Sequence, residues 1–434
     1  MADSLVVRLH GNVVGELVRG QDPSRVKLAV DSAYDASGIT LTESFTVIPG
    51  TQPPTDAPSN FLGGYVPEGH HRTVMASRRG INPGDLFALL REFGASLAGA
   101  VTVHPTGPAP TGDGAAWLKA LSDGDLADKL RQAVRDTDQA VPDDSRSTLP
   151  GFQPKVLASR AAGGWAQPHG SAHSTHILKP QVPQRATRLV DEHYGHLLAQ
   201  AANLASFSST LLEADGVTFL AIDRFDRLIL SDDTVKLVHQ EDLAQALGLD
   251  WRTADAKFQD QYRMDNPARA SAARVAQLLA DIPGASRLTE DWVRRCVFSL
   301  VLGDNDAHAK NIALLHTDLG TFLAPAYDTV PNLFERGMID EGFRLAFAVN
   351  GSFDHRRVTA ESLVAEVVSW QTTTPSRASS MVESALEACA EAVRTAPRPA
   401  GLSAGLTDKL DWTVERLSIG NQIGTSPWQG AEPK

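Results

Sequence analysis

The stretch Gly303-Asp304-Asn305-Asp306-Ala307-His308-Ala309-Lys310-Asn311, followed downstream by Tyr327-Asp328, is the part of this chain that decides its fold class. Asp306, Asn311 and Asp328 bring two carboxylates and one amide oxygen into an ordered pattern. Carboxylate and amide oxygens are ligands that Mg²⁺ accepts, and a carboxylate can also take a proton from a hydroxyl group. The pattern predicts a site that handles phosphate charge, with Asp306 at the reacting hydroxyl and Asn311 and Asp328 on a metal.

This spacing, Asp-x-x-x-x-Asn with a later Asp, is that of a kinase catalytic loop and metal site. A γ-phosphoryl transfer depends mainly on positioning and charge neutralisation, so these residue types are sufficient for an ATP-dependent kinase. A simpler explanation is that residues 304–306 form a turn that caps the next helix, because Asx side chains bond to nearby backbone amides. His308 and Lys310 are equally explained as surface residues, although Lys310 near a phosphate would be useful as a point charge.

Residues 174–180 are expected to form a short strand that ends at Pro180. The two-residue alternation places Thr175, Ile177 and Lys179 on one face, so that Lys179 would point where a strand lysine meets the α- and β-phosphates. The alternative is that Lys179 is simply solvated.

The loop 148–155 precedes the apolar residues 156–158, and its glycine and backbone amides could cover phosphates. A plain turn explains a single glycine equally well. Further on, the apolar run 218–222 predicts a buried strand that leads into Asp223-Arg224-Phe225-Asp226-Arg227, a candidate hinge whose backbone would meet adenine. The alternative for Arg224 and Asp226 is a surface ion pair that contributes little stability.

At this point the ordered motifs resemble those of the HipA family of serine/threonine kinase toxins. The resemblance rests on these segments: Thr148-Leu149-Pro150-Gly151-Phe152-Gln153-Pro154-Lys155, Thr175-His176-Ile177-Leu178-Lys179, Arg224-Phe225-Asp226-Arg227, Gln240-Glu241-Asp242, residues 305–311 and Tyr327-Asp328. It includes the amino-terminal segments 13–15 and 60–69, which resemble the small β-rich subdomain that precedes the kinase core in that family.

The resemblance implies an α+β, two-lobed protein-kinase-like fold with an amino-terminal β-rich subdomain and an all-helical C-lobe. It implies ATP contacts at Gly151, Phe152, Gln153, Lys155, Lys179, Asp223, Phe225, His308, Asn311, Tyr327 and Asp328, and metal contacts at Asn311 and Asp328. Family members phosphorylate themselves on a loop hydroxyl that is commonly serine, whereas Thr148 occupies that place here and Ser147 precedes it.

The same resemblance implies a toxin restrained by a helix-turn-helix antitoxin similar to HipB, which also binds operator DNA. An aminoacyl-tRNA synthetase is a candidate protein substrate by analogy alone. Two other classes stay open: a kinase of a lipid or small-molecule hydroxyl, and a catalytically weak co-repressor that acts through a DNA-binding partner.

A helix over 188–204 is expected to supply Glu192 as the partner of Lys179. Its apolar stripe, formed by Val190, Tyr194, Leu197 and Ala201, follows helical spacing and leaves Glu192 on the opposite side. The spacing therefore gives the Lys179–Glu192 pair little support.

Composition sets the outer bounds. A chain of 434 residues, 42% hydrophobic and 21% charged, is long enough for two or three globular domains. The two cysteines, Cys296 and Cys389, are too few for a disulfide framework, and Cys296 fits a buried helical position. With no apolar run of spanning length and no signal-peptide pattern at residues 1–4, a cytoplasmic location is expected, with no membrane association.

The formal net charge of −12 argues against strong direct binding to nucleic acid, because phosphate neutralisation requires clustered Lys and Arg. Association with DNA is therefore expected only through a basic partner, for which an acidic chain is electrostatically suited.

The chain is expected to divide as follows: a β-rich subdomain at 1–103, a Pro- and Gly-rich linker at 104–115, an α/β nucleotide-binding lobe at 116–239, a helical catalytic lobe at 240–420 and a flexible tail at 421–434. Helices are predicted over 84–94, 241–247, 268–280, 289–302, 362–370, 377–395 and 405–418. Gln240-Glu241-Asp242 is explained first as helix capping and second as a substrate contact.

Overall fold

The computed structural model describes residues 3–106, 116–135, 153–161, 163–170, 172–185, 187–230, 234–335, 342 and 344–426. The chain divides into two compact units. The first contains Met1–Gln184, Phe207–Ala254 and Leu314–Gly320, and the second contains Arg185–Ser206, Asp255–Ala313 and Thr321–Lys434. The first unit does not separate the expected amino-terminal subdomain from the lobe that follows it.

The first sheet of the first unit is antiparallel and has the strand order β3-β2-β1-β4. Its strands are β1 (Ser4–Leu9), β2 (Asn12–Arg19), β3 (Val26–Val30) and β4 (Val101–Pro105), and its helices are α1 (Asp56–Gly63), α2 (Gly69–Arg78) and α3 (Leu86–Phe93). Alternating residues such as Leu5 and Val7 point inward, and they pack with Phe61 and Phe87 into one apolar core.

The second sheet of this unit has the order β5-β7-β6-β8-β10-β9. Its elements are β5 (Trp117–Leu121), α4 (Asp123–Arg135), β6 (Val156–Ala161), β7 (Gly164–His169), β8 (His176–Pro180), β9 (Ser209–Ala214) and β10 (Val217–Asp223). Leu126 and Leu130 of α4 pack with Leu178 and Phe219 of the sheet. Strands β8 and β10 are antiparallel, with Lys179 opposite Leu220 and His176 opposite Asp223.

Directly after β10, the chain forms a buried ion cluster. Arg224 bonds to Asp226 through Nε to Oδ1 at 3.0 Å and through an Nη to Oδ2 at 2.8 Å. Arg227 bonds to Oδ2 at 2.8 Å, and the Gly99 N–H donates to the same oxygen at 3.0 Å. Burial alone would raise the pKa of Asp226, but the two guanidinium groups hold it well below its usual range. The surface-pair explanation is therefore wrong, because all three side chains are buried.

The segment that follows the ion cluster adds β11 (Arg227–Ile229), β12 (Val235–Leu237), β13 (His239–Asp242) and the short helix α6 (Leu243–Ala246). Asp242 caps α6 in a capping box with Gln245, as the sequence predicts. Glu241 has a different role: its carboxylate accepts hydrogen bonds from the Thr42 hydroxyl at 2.6 Å and the Glu43 N–H at 2.8 Å, and lies 2.9 Å from His316 Nε2. Glu241 is fully buried, so it contributes to structure within the first unit.

The second unit is mainly helical. Its helices are α5 (Arg188–Ala201), α7 (Ala272–Asp281), α8 (Ala285–Leu302), α9 (Ala360–Ser369), α10 (Pro375–Thr395) and α11 (Leu406–Ser418). Helix α10 packs against α5, α8, α9 and α11, and the core includes Trp292 and Trp370. Within the described part of the chain, each helix is too short or too polar to cross a bilayer.

The structure adds to the sequence prediction at three places. Residues 240–420 are not all helical, because they contain residues 240–242 of β13 and two further short strands, β14 (Ala313–Thr317) and β15 (Gly320–Leu323). The expected tail is fixed at its start, because Ile423 is buried and its backbone bonds to Val358 and to the Trp412 indole. In α5 the inner face holds Leu189 and Leu198, whereas Glu192, placed on the outer side by the stripe, is fully buried.

Replacing Asp226 with alanine should leave Arg224 and Arg227 as uncompensated buried charges. The expected cost is about 3–5 kcal/mol in the free energy of unfolding, measured by urea denaturation. As a control, removing Glu391, the exposed partner of Arg394, should change stability little. Equal effects of the two substitutions would show that the buried cluster does not stabilise the first unit.

Candidate active site

The candidate catalytic loop, residues 304–311, begins where α8 ends. Gly303 has φ +71°, and the Asp304 N–H returns to the Ser299 carbonyl at 2.9 Å, which closes the helix in a left-handed turn. A Cβ at Gly303 would lie 2.9 Å from the Phe334 ring, so that both the backbone angle and the available space favour glycine. The helix end therefore sets the direction in which residues 304–311 leave the core.

The buried side chain of Asp304 stabilises this turn. Its Oδ1 accepts the Asp306 N–H at 3.0 Å, and its side chain is buried. Burial and the nearby Asp306 carboxylate raise the pKa of Asp304 well above its usual value. The turn expected at residues 304–306 is therefore present, but it does not cap the next helix, because His308 is the N-cap of the 3₁₀ turn Ala309–Asn311. Asp306 differs from Asp304 in that its side chain is 49% exposed.

Asp306 and Asn311 are brought together by the loop. Asn311 Nδ2 donates to the Asp306 carbonyl at 2.8 Å and to Oδ2 of its carboxylate at 3.3 Å. Because the amide nitrogen faces Asp306, Oδ1 is the atom of Asn311 that can serve as a ligand. The Asn311 carbonyl accepts from the buried Arg295 at 3.3 Å, which fixes the backbone at this position.

His308 is buried beside this pair and is not a surface residue. Its Nδ1 accepts the Lys310 N–H at 3.3 Å, so we assign the proton of the neutral ring to Nε2. Nε2 lies 3.4 Å from Asp306 Oδ1. Burial and the charge of Lys257 lower the pKa of His308 well below its usual value, which keeps the ring neutral. His308 therefore supports one oxygen of Asp306 as Asn311 supports the other.

The Asp306 carboxylate lies in an acidic environment. Partial burial and the nearby Asp328 carboxylate raise the pKa of Asp306 to about 6, against the opposing effect of Lys257, Arg188 and the Asn311 hydrogen bond. Asp328 itself has φ +53°, in the left-handed region that non-glycine residues rarely occupy. The neighbouring Tyr327 hydroxyl donates to the Lys310 carbonyl at 3.3 Å and links Tyr327 to the catalytic loop.

These donors fit Mg²⁺. The Asp328 carboxylate raises the pKa of Asp306, and a divalent cation would offset the repulsion between the two groups. Asn311 Oδ1 and the Asp328 carboxylate are hard oxygen ligands. The described residues contain no cluster of three or more His, Cys, Asp and Glu side chains arranged around a metal. Mg²⁺ is nevertheless commonly held by one or two carboxylates together with substrate phosphates, so a small protein ligand set is sufficient.

Lys257 belongs to the same region, and the sequence motifs did not indicate it. It ends the 3₁₀ turn Ala254–Lys257, its side chain is buried, and its charge acts on both Asp306 and His308. The adjoining Phe258 ring meets His308 edge-on with centroids 4.8 Å apart. A Lys-Phe pair in an irregular segment has no distinctive spacing, which explains why the sequence alone does not reveal it.

The remaining described candidates lie in the first unit. Lys179 is only 6% exposed at the end of β8, so it is not simply a solvated lysine. Asp223 Oδ1 lies 3.0 Å from His176 Nε2, and this contact lowers the pKa of Asp223. Phe225 is half-buried, with its ring centroid 6.4 Å from that of Phe207. Gln153 and Lys155 are half-buried just before β6.

Four predicted residues, Ser147, Thr148, Gly151 and Phe152, lie outside the described residues. Lys179 belongs to the first unit and Glu192 to the second, so their pairing stays a prediction. Within the second unit, Glu192 Oε1 lies 4.0 Å from His196 Nε2, and both side chains are fully buried.

An antiparallel sheet with a buried strand lysine, together with a helical unit that carries Asp306, Asn311 and Asp328, defines a protein-kinase-like enzyme. Residues 5–104 match the family model of the HipA N-terminal domain, and residues 147–397 match that of the HipA-like C-terminal domain. The chain therefore belongs to the HipA family, and the resemblance inferred from its motifs is confirmed.

Known proteins agree with this assignment. Y4mE of Sinorhizobium fredii, a presumed kinase, is 30% identical over 322 residues, which are 72% of this chain and 71% of the relative. The serine/threonine-protein kinase toxin HipA of Shewanella oneidensis is 24% identical over 314 residues, 71% of this chain and 70% of the relative. A solved complex of HipA, HipB and operator DNA from that organism matches with TM-score 0.75, 22% identity and coverage of 94% and 95% of the two chains. The predicted kinase-like α+β fold is thereby confirmed.

Replacing Asp304 with alanine should remove the acceptor of the Asp306 N–H and destabilise the loop by about 1–3 kcal/mol. Asp304→Asn keeps an acceptor of the same size and removes a charge that burial disfavours, so it should be better tolerated. Thermal unfolding and phosphorylation assays of both variants test this expectation. If Asp304→Asn lowered stability and activity as much as Asp304→Ala, the hydrogen bond from the Asp306 N–H would not be what Asp304 contributes to the loop.

Proposed function

We propose that this chain is an ATP- and Mg²⁺-dependent serine/threonine protein kinase that acts as the toxin of a HipA/HipB-like toxin–antitoxin pair. The observation that carries the proposal is the half-exposed Asp306 carboxylate, held by Asn311 on one oxygen and by His308 near the other. A positioned carboxylate beside two metal-binding oxygens is what hydroxyl phosphorylation requires.

Asp306 would orient the acceptor hydroxyl and take its proton as the new oxygen–phosphorus bond forms and the bond to ADP breaks. With a pKa of about 6 it is mostly ionised at neutral pH and can act as a base. Asn311 Oδ1 and the Asp328 carboxylate would hold Mg²⁺. When bound, the metal neutralises charge on the phosphate oxygens.

From the family likeness we propose ATP contacts at Gln153, Lys155, Lys179, Asp223 and Phe225 in the first unit and at His308, Asn311, Tyr327 and Asp328 in the second. Lys179 is buried at the end of β8, and we propose that its ammonium group meets the α- and β-phosphates of ATP. Gly151 and Phe152 belong to the same proposal by sequence alone.

Asp306→Asn and Asp328→Asn should each lower turnover at least about a hundredfold, because one removes the base and the other a charged metal ligand. Folding should be little affected, which melting temperatures check. The assay uses purified protein, Mg²⁺ and labelled ATP. A variant with native melting and near-native phosphorylation would refute the role assigned to its residue.

The destination of the label separates the alternatives. Label on protein supports the proposal, and purified aminoacyl-tRNA synthetases are the first acceptors to test. Label on a lipid or small molecule alone would indicate a different acceptor class, and intact ATP binding without turnover would favour a co-repressor.

For the partner, we propose a small basic helix-turn-helix antitoxin. The related Shewanella protein was solved with HipB and operator DNA, and the net charge of −12 suits a basic partner. The isolated chain should show no tight duplex binding at physiological salt, whereas its complex with the protein encoded beside it should bind operator DNA in a gel-shift assay. Tight, sequence-specific binding by the isolated chain would contradict this proposal.

We further propose that Thr148, or failing that Ser147, is phosphorylated by the protein itself. A phosphoryl group adds about −1.5 to −2 charges, which would repel ATP phosphates from the adjoining 151–155 loop. Mass spectrometry after incubation with Mg²⁺ and ATP should find phosphate on this peptide, and Asp306→Asn should abolish it. An enzyme active on another substrate but unmodified here would exclude such a switch.

A further inference from the structure

Lys257 is connected to the candidate base through two aromatic side chains. Its Nζ lies 5.7 Å from the centroid of the Phe258 ring. The Phe258 ring meets the His308 ring edge-on at 4.8 Å, and His308 Nε2 lies 3.4 Å from Asp306 Oδ1. The contact between Phe258 and His308 therefore places the 257–258 segment against the loop that carries Asp306.

Burial makes the position of Lys257 informative. Only 8% of the residue is exposed, and a lysine is rarely buried to this extent unless negative charge lies close by. The charge of Lys257 is felt at Asp306 and at His308. Among the described residues, the charged groups that act on Asp304, Asp306 or His308 include Arg188, Arg295, Lys310 and Asp328.

We propose that Lys257 is a further catalytic residue, whose ammonium group contacts the phosphoryl group during its transfer to the acceptor hydroxyl. This inference rests on the function proposed above. Because Phe258 packs on His308, which neighbours the base, the 257–258 segment brings a cation to the region where the acceptor oxygen would react. Negative charge there changes most in the transition state, so the contact should favour the transition state over bound ATP.

The proton balance assigns separate tasks to the two residues. The hydroxyl proton goes to the Asp306 carboxylate, the acceptor oxygen bonds to phosphorus, and the bond from phosphorus to the ADP oxygen breaks. Lys257 keeps its three protons throughout and donates a hydrogen bond to an oxygen of the moving group. A compact ammonium group suits this task because it can follow the phosphorus as it moves.

The test compares Lys257→Met and Lys257→Arg in the full chain. Methionine should lower turnover about a hundredfold or more while the Kd for ADP with Mg²⁺ changes less than about threefold. Arginine keeps the charge and should retain more activity. The decisive measurement is binding of ADP, Mg²⁺ and aluminium fluoride, which imitate the transition state and should bind more tightly than ADP alone to the unaltered protein. Lys257→Met should abolish this increase in affinity on addition of aluminium fluoride, the fluoride gain.

Lys409→Met is the matched control, because Lys409 is a half-buried lysine of the same unit whose Nζ donates to the Phe334 carbonyl at 2.8 Å. It should leave the fluoride gain intact. The proposal is overturned if Lys257→Met keeps that gain, or if it weakens ADP binding as much as fluoride binding. If Lys257→Met lowers the melting temperature sharply, Lys257→Arg becomes the deciding variant. Loss of the fluoride gain in Lys257→Arg would then overturn the proposal. Absence of both turnover and fluoride gain in the unaltered protein would instead refute the proposed function.

Discussion

Electrostatic repulsion among Asp304, Asp306 and Asp328 is the constraint around which the catalytic loop is built. Asp304 is buried and occupied by the Asp306 N–H, which removes it from solvent and from chemistry. Asp306 stays half exposed, with Asn311 and His308 at its oxygens and the positive charges of Lys257 and Arg188 nearby. One carboxylate thus shapes the loop while another stays accessible, and their different environments account for this difference.

The buried carboxylates of the first unit differ from Asp306 in the number of hydrogen bonds that they accept. Asp226 receives hydrogen bonds from two arginines and a backbone amide, and Glu241 receives them from Thr42 and the Glu43 N–H and meets His316. When the oxygens of a carboxylate are occupied in this way, little capacity is left for a substrate. The number of hydrogen bonds already made therefore separates the structural acids, Asp226 and Glu241, from Asp306, although sequence presents all three in equally motif-like settings.

Much of this organisation is predictable from sequence, because helical periodicity and capping residues are local properties. Helix α10 was expected over 377–395 and occupies Pro375–Thr395, and Asp242 caps α6 as its position suggests. Long-range properties are not predictable in this way. The burial of Arg224 and Asp226 depends on Gly99, more than a hundred residues away, and Lys257 is defined by rings and charges brought to it by folding. The apolar stripe predicts an exposed position for Glu192, and this is wrong because α5 is buried on more faces than its stripe.

The Glu241 cluster bears on how this protein can be divided. Two separate family models match this chain, one at 5–104 and one at 147–397, and such a division suggests interchangeable modules. Thr42 and Glu43 come from one of them, whereas Glu241 and His316 come from the other, so the two domains complete a single hydrogen-bonded set inside one compact unit. Recombination that joined halves from distant relatives would have to preserve residues on both sides of the junction at once. The two domains are therefore better regarded as one inherited piece.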